Sequence, residues 1–274
     1  MQQSSVRAPL IAVIIFNICA LLVRAYLQIE LGERGYHVNF AKDLSYLIVP
    51  PILALLLWPV VRRNRHALLR CFDIHRLTMR LVLNAVGIGL LARAAFWCAL
   101  VFSVATGIAT NANPAAIEGP VFRFGCPPAY EFALALLVWI LLIPISEEVV
   151  HRGLIQSSLM PRGRHTAIIL SALIFMAFHR PAAMPVALLL GIVMAIQFVE
   201  SGTLWAPIIT HAAYDGLTQL DWRCLQGVWN PLPADTPLMA PAIGSLCGLV
   251  ATIGGIAWLL AKTGARRAPR SHPA

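Results

Sequence analysis

The chain has 274 residues, of which 59% are hydrophobic and 12% charged, and its mean hydropathy is +0.75. Soluble domains carry about 25% charged residues, so a water-soluble globular protein is excluded. The net charge of +9 at pH 7 does not point to nucleic acid, because the basic residues lie in short segments between apolar runs, as topology signals do.

Residues 8–29 read as a first span, apolar apart from Asn17, Arg24 and a polar end. Arg24 and Tyr26 stand where a cleaved signal peptide needs small residues, so a retained helix is expected, with Arg24 snorkelling to the interface. Residues 30–44 read as a polar loop and 45–61 as a second span, in which Pro50-Pro51 implies a kink. Segment 62–80 carries Arg62, Arg63, Arg65, Arg70, Arg76 and Arg80 among apolar residues. That is the pattern of a cytoplasmic loop whose helix lies on anionic lipid. The third span is 81–102, followed by a loop over 103–128. A fourth runs from near Tyr130 to about Gln156, and Pro161-Arg-Gly-Arg-His165 is a tight basic turn. Spans at 166–180, 184–199, 203–220 and 242–261 follow, with a proline-marked loop at 221–241 and a basic tail. The expected fold is all-α, a polytopic transmembrane helical bundle of about eight spans.

With the N-terminus inside, the inner segments hold thirteen basic residues and the outer segments five. The positive-inside rule then places both termini in the cytoplasm. Only Lys42 and Lys262 among the 21 basic residues are lysine, a bias suggesting a GC-rich coding sequence and hence a bacterial inner membrane. Cys19, Cys98 and Cys247 fall in spans as small apolar fillers, and Cys71 in the inner loop. Cys126 and Cys224 both fall in outer loops, where an oxidising compartment permits a disulfide between them.

The fourth span ends in Pro144-Ile-Ser-Glu-Glu-Val-Val-His-Arg-Gly153. A charged residue costs roughly 2.5–3.5 kcal/mol at the centre of a membrane helix, so this clustering needs a reason. On a helix Glu148 and Arg152 are i,i+4 neighbours, as are Glu147 and His151. His179 ends the fifth span, and His211 and Asp215 share a face of the seventh. Singly, each has a structural explanation: a histidine bonded to backbone, or a Glu–Arg pair acting as glue, as Arg93 with Glu131 would be. Together they supply a general base, an orienting cation and neutral donors, the set that amide hydrolysis needs. Counting residues puts Glu147 in the inner third of its span and His179 in the outer third, so bringing them together requires offset or broken helices.

Glu-Glu-x-x-x-Arg, then Phe-x-x-x-His, then His-x-x-x-Asp on separate helices resembles the CPBP family of intramembrane proteases, the type II CAAX prenyl endopeptidase-like or ABI family. The resemblance covers roughly residues 129–220, including Gly191 and Thr203-Leu-Trp-Ala-Pro207. It implies that Glu147 activates water with the help of His179, that Glu148 and Arg152 fix the site, and that His211 and Asp215 serve the oxyanion. Many members carry Asn where this chain has Asp215. An ionised Asp cannot donate, so either Asp215 is protonated in its low-dielectric site or, the preferred expectation, it orients His211 through a hydrogen bond. His151 has no counterpart in the pattern and reads as a polar neighbour near the inner interface. The family is often labelled a metalloprotease, and Glu147, His179 and His211 would be the ligands of Zn²⁺. The chain lacks a His-Glu-x-x-His spacing, which favours a site without metal or other cofactor.

The resemblance implies an intramembrane endopeptidase whose partners are a membrane-associated peptide or protein substrate and the lipid bilayer, with no nucleic acid. A non-catalytic scaffold or immunity protein, or an ion-coupled transporter, would use the same charges. The expected organisation is N-terminal spans and a basic loop over 1–128, a catalytic core over 129–220, and an outer loop, last span and basic tail over 221–274.

Overall fold

The computed structural model describes Val6 and residues 8–106, 118–231 and 238–264. In chain order its elements are α1 (Leu10–Glu33), α2 (Val38–Arg63), α3 (Arg65–Cys71), α4 (Met79–Ala105), β1 (Glu118–Phe124) and α5 (Ala129–Arg162). After them come α6 (Arg164–Ala177), α7 (Met184–Ser201), α8 (Trp205–Cys224), β2 (Leu225–Pro231) and α9 (Met239–Gly264). The fold is a polytopic helical bundle. Among the described residues six helices are long and apolar enough to cross a membrane: α1, α2, α4, α5, α7 and α9. Of the other two main helices, α6 has only 14 residues and α8 carries His211, Asp215, Asp221 and Arg223. Ile11, Leu55 and Met239 are each 76% exposed, as lipid-facing side chains of such helices should be.

Several boundaries differ from the hydropathy reading, each for a local reason. The expected loop at 30–44 is a tight turn, opened by Gly35 at φ 84°, and α2 begins at Val38. Its polar first turns are satisfied inside the bundle. Asp43, fully buried, accepts from Trp139 Nε1 at 2.9 Å and from Arg223 Nη2 at 2.7 Å. Pro50 and Pro51 do not bend the middle of a helix; they occupy the first turn of its second half, after a break at Ile48, where a missing N–H is harmless. Arg93 does not meet Glu131. Its Nε donates to Asp221 at 2.6 Å, Trp97 donates to the same oxygen at 2.8 Å, and Glu131 stays exposed beside Tyr130. Arg24 turns inward over the Tyr46 ring, 4.6 Å from its centroid, rather than outward to the interface. Arg164 at the start of α6 pairs with Glu200 at the end of α7.

The two expected loops at 103–128 and 221–241 supply one ribbon. β1 and β2 pair antiparallel, from Glu118 opposite Pro231 to Phe124 opposite Leu225. Beyond the ribbon's end Cys126 and Cys224 are disulfide-bonded, closing 98 residues, while Cys19, Cys71, Cys98 and Cys247 are free. The last turn of α8 is thus tied three ways, by Asp221 to α4, by Arg223 to α2 and by Cys224 to the segment before α5.

Polar stitches join the helices around the site, as membrane bundles use them. Arg152 and Gln156, one turn apart on α5, donate to the carbonyls of Gly191 at 3.2 Å and Ala195 at 2.9 Å on α7. Gln197 donates to Thr210 at 2.8 Å, and Thr210 to the Ala85 carbonyl at 2.9 Å. Gly89 lets α4 touch α8: a Cβ there would stand 2.7 Å from the Thr210 carbonyl oxygen and 2.8 Å from the Ala213 Cβ.

Candidate active site

Helix α5 holds the cluster that begins at Glu147, and it is not a regular α-helix. Residues Leu137–Leu142 and Val149–Gln156 form wide π-turns on either side of Ile143–Glu148. Pro144 has no N–H to give the Ile140 carbonyl, which removes the α-type bond at the end of the first wide segment. Wide turns of this kind recur at functional sites because they re-aim side chains. The helix also runs on to Arg162. The polar residues Gln156, Ser157 and Ser158, which read as the end of a span, are bonded within the protein: Gln156 to Ala195, Ser157 to the Arg152 carbonyl, and Ser158 to the Ala8 N–H.

That extension removes the mismatch in depth. Fifteen residues lead from Glu147 down to Arg162, and fifteen lead from Arg164 up to His179. The arms of this antiparallel hairpin have equal residue counts. Helix α6 stops at Ala177, and His179 beyond it lies within electrostatic reach of Glu147.

Within the site the two adjacent glutamates are treated differently. Glu148 is fully buried, and one of its oxygens meets both Arg152 Nη1 and His211 Nδ1, each at 3.0 Å. Glu147 keeps a side chain 26% exposed and makes no hydrogen bond among the described residues; its nearest ionic neighbour is His211 Nε2, at 3.9 Å. Asp215 stands 3.4 Å from that same nitrogen. The group on the far nitrogen of His211 is therefore Glu148, and Asp215 sits at the nitrogen that faces Glu147. His179 donates from Nδ1 to the Phe175 carbonyl at 2.8 Å, which leaves Nε2 free. Glu147 lies within electrostatic reach of His211, His179, Asp215 and Glu148. All six expected site residues, Glu147, Glu148, Arg152, His179, His211 and Asp215, are thus brought to one place.

An aromatic hub, the phenylalanine of the Phe-x-x-x-His pattern, holds them there. Phe175 is 1% exposed, and its ring lies 4.6 Å from the Arg152 guanidinium, 4.6 Å from the His179 ring and 5.9 Å from the His211 ring. His151 is not at an interface. It is 1% exposed and packs edge-on against Phe175 at 5.1 Å and Phe178 at 5.6 Å, with no hydrogen bond to Nδ1 among the described residues. Gly191, noted only as part of a pattern, has two uses. Its carbonyl receives Arg152, and the missing Cβ, which would lie 3.3 Å from Phe175, lets α7 press on the hub.

Among the described residues no three His, Cys, Asp or Glu side chains are disposed to hold a metal ion. What the arrangement offers chemically is a free carboxylate beside two imidazoles, backed by a sealed Glu–Arg pair.

No curated protein and no solved structure matches the chain. The family model described as type II CAAX prenyl endopeptidase Rce1-like matches residues 129–217, about a third of the chain. That segment runs from the first residue of α5 to just beyond Asp215, so it contains all six clustered side chains, and over it the chain is recognised as similar to the Rce1-like type II CAAX prenyl endopeptidases.

Proposed function

We propose that the protein is an intramembrane endopeptidase that hydrolyses a peptide bond of a membrane-associated substrate, with Glu147 as the general base. The observation that carries this reading is the contrast between the two glutamates. Glu148 is sealed by Arg152 and His211, whereas Glu147 is unbonded and partly exposed beside them. Glu147, with the free Nε2 of His179, takes a proton from water as its oxygen bonds to the peptide carbonyl carbon. The carbonyl oxygen gains charge, and His211, carrying a proton on each nitrogen between Glu148 and Asp215, turns its Nε2–H from Asp215 to stabilise it. When the C–N bond breaks, the proton held at Glu147 passes to the leaving amine. Asp215 fixes the direction of the His211 Nε2–H, and Glu148 fixes the ring from the other side. Arg152 holds the Glu148 carboxylate.

No step in this scheme needs a metal. Residues 129–220 form the catalytic core, and the N-terminal and C-terminal spans are its surroundings. The protein resides in a bacterial inner membrane with both termini cytoplasmic, in keeping with the basic segments at 62–80 and after α9.

The test is purification of wild type, Glu147→Gln and His179→Ala, followed by cleavage of a membrane-peptide library. Wild type should cut and both variants should lose activity by about a hundredfold or more. Equal processing by all three would refute the assignment. Loss of wild-type activity on chelation, restored by Zn²⁺, would refute the metal-free scheme.

A further inference from the structure

Next to Glu147 stands a second constellation, built partly from helices outside the family match. Arg24 of α1 lies over the Tyr46 ring of α2 at 4.6 Å, Tyr46 meets the Trp139 ring of α5 at 4.7 Å, and Lys42 of α2 lies over the other side of that contact, 4.5 Å from the Trp139 ring. The result is a ladder of cation, aromatic, aromatic, cation. Trp139 is two helical turns before Glu147 on the same helix, and its ring is locked by the hydrogen bond to Asp43. Arg180 follows His179 directly. Tyr46 is within electrostatic reach of Glu147, Asp215 and Arg180, and Lys42 of Asp215 and Arg180, so the ladder and Arg180 lie on the Glu147–Asp215 side of the cluster.

None of these three cations has a carboxylate within 4.0 Å among the described residues. Asp43, the neighbour of Lys42, is taken by Arg223, and Glu147 and Asp215 both sit at His211. Long basic side chains in membrane helices ordinarily escape to the interface. Arg24 and Lys42 instead fold inward on aromatic faces, and the Arg24 Nε is buried without a partner. Gln28 Oε1, which takes Arg24 Nη1 at 2.9 Å, and the aromatic faces offset part of the cost of holding Arg24 and Lys42 there, and an anion would offset the rest, while the exposed Arg180 is open to the same anion.

We propose that the ladder Arg24–Tyr46–Trp139–Lys42, together with Arg180, is a substrate subsite that takes a carboxylate carried by the peptide and thereby places the neighbouring bond at Glu147. The inference rests on the endopeptidase reading only for the identity of the carrier. Binding itself is measurable without turnover.

The probes are a dansyl-labelled apolar octapeptide with a free C-terminal carboxylate, its C-terminal amide, and the amide carrying one aspartate. Each is titrated by fluorescence polarisation against the full chain in phosphatidylcholine nanodiscs. A charge-assisted contact is expected to make the free acid bind about tenfold more tightly than the plain amide. In Lys42→Met/Arg180→Gln the two should bind about equally, and Arg24→Gln should give an intermediate ratio. Arg62→Gln/Arg63→Gln, which removes two distant charges, should keep the preference. Tight binding of the aspartyl amide assigns the subsite to side-chain carboxylates as well, and weak binding restricts it to the C-terminus; both outcomes support it. Equal binding of acid and amide to wild type overturns the proposal, as does an equal loss in the distant control. If phosphatidylglycerol in the nanodiscs abolishes the preference, the ladder takes lipid phosphate and the proposal is again overturned. A protein that binds the acid selectively but cleaves nothing would sink the endopeptidase reading and leave the subsite standing.

Discussion

Replacement of Arg152 by methionine should destabilise the protein severely, and about half of the cost should vanish when Glu148 is neutralised in the same chain. Arg152 and Glu148 are both fully buried and 3.0 Å apart. Removing one member of such a pair leaves an uncompensated charge in the interior, which costs about 3–5 kcal/mol. Arg152 also gives a hydrogen bond to the Gly191 carbonyl at 3.2 Å and lies over Phe175 at 4.6 Å. Those two contacts add roughly 1–3 kcal/mol that no change at Glu148 recovers. Arg152→Met is therefore expected to lose about 4–8 kcal/mol. In Glu148→Gln/Arg152→Met no buried charge is stranded, and the loss should fall to roughly 2–4 kcal/mol. Reversible unfolding of the micelle-solubilised protein in increasing SDS, followed by tryptophan fluorescence, measures all four corners of the cycle. If the single losses simply add in the double variant, with a coupling under about 0.5 kcal/mol, the two side chains do not form a coupled buried pair and the reasoning fails.

Gly89→Val should push α8 away from α4, because even a Cβ would stand 2.7 Å from the Thr210 carbonyl oxygen. A loss of about 1–3 kcal/mol is expected in the same unfolding assay, and unchanged stability would show that the helices are not in contact there. Asp215→Asn keeps an oxygen that accepts from His211 Nε2 and should retain activity within about threefold, whereas Asp215→Ala should lose tenfold or more. Equal activity of the two would remove Asp215 from the site. Cys71 is half-buried and its thiol donates to the Ala67 carbonyl at 3.3 Å; burial raises its pKa above the ordinary thiol value. Less thiolate then exists at any given pH, so its alkylation should stay slow at pH 7–8 and rise only in more alkaline buffer. Mass mapping of the unreduced protein should find Cys126 and Cys224 protected and the other four cysteines alkylatable.

The helices were legible because hydropathy runs in lipid-facing segments leave little ambiguity, and each of the eight expected spans has a helix over it. The site residues were legible because isolated charges in apolar runs stand out: Glu147, Glu148, Arg152, His179, His211 and Asp215 all converge. What stayed hidden were polar residues near helix ends. Asp43, Asp221 and Arg223 read as loop or interface residues, yet each is bonded inside the bundle. Their partners lie more than 90 positions away, and no local pattern encodes such a pairing. The same blindness ended α5 too early at Gln156 and created the false difference in depth. Pro144 marks the end of the first wide segment, but no residue type marks the second, Val149–Gln156. Tyr46 and Trp139 belong to the same class, since an aromatic in a membrane span is indistinguishable from lipid-facing filler until its neighbours are known.

The equal arms of the α5–α6 hairpin make its length a ruler. Deleting one residue between Arg164 and His179 would raise or lower the histidine by only about 1.5 Å, but it would also swing it by roughly 100° around the helix axis. The side chain would then face lipid or the core instead of Glu147. Substitutions on the outer surface of the α6 arm leave this geometry alone, so Ile169 and Leu173, both exposed, are open to replacement by other apolar residues. Single-residue insertions and deletions in an arm should instead turn His179 away from Glu147. A longer or shorter active hairpin has to change by a whole turn in each arm at once, a step of about seven residues divided across the bend at Gly163.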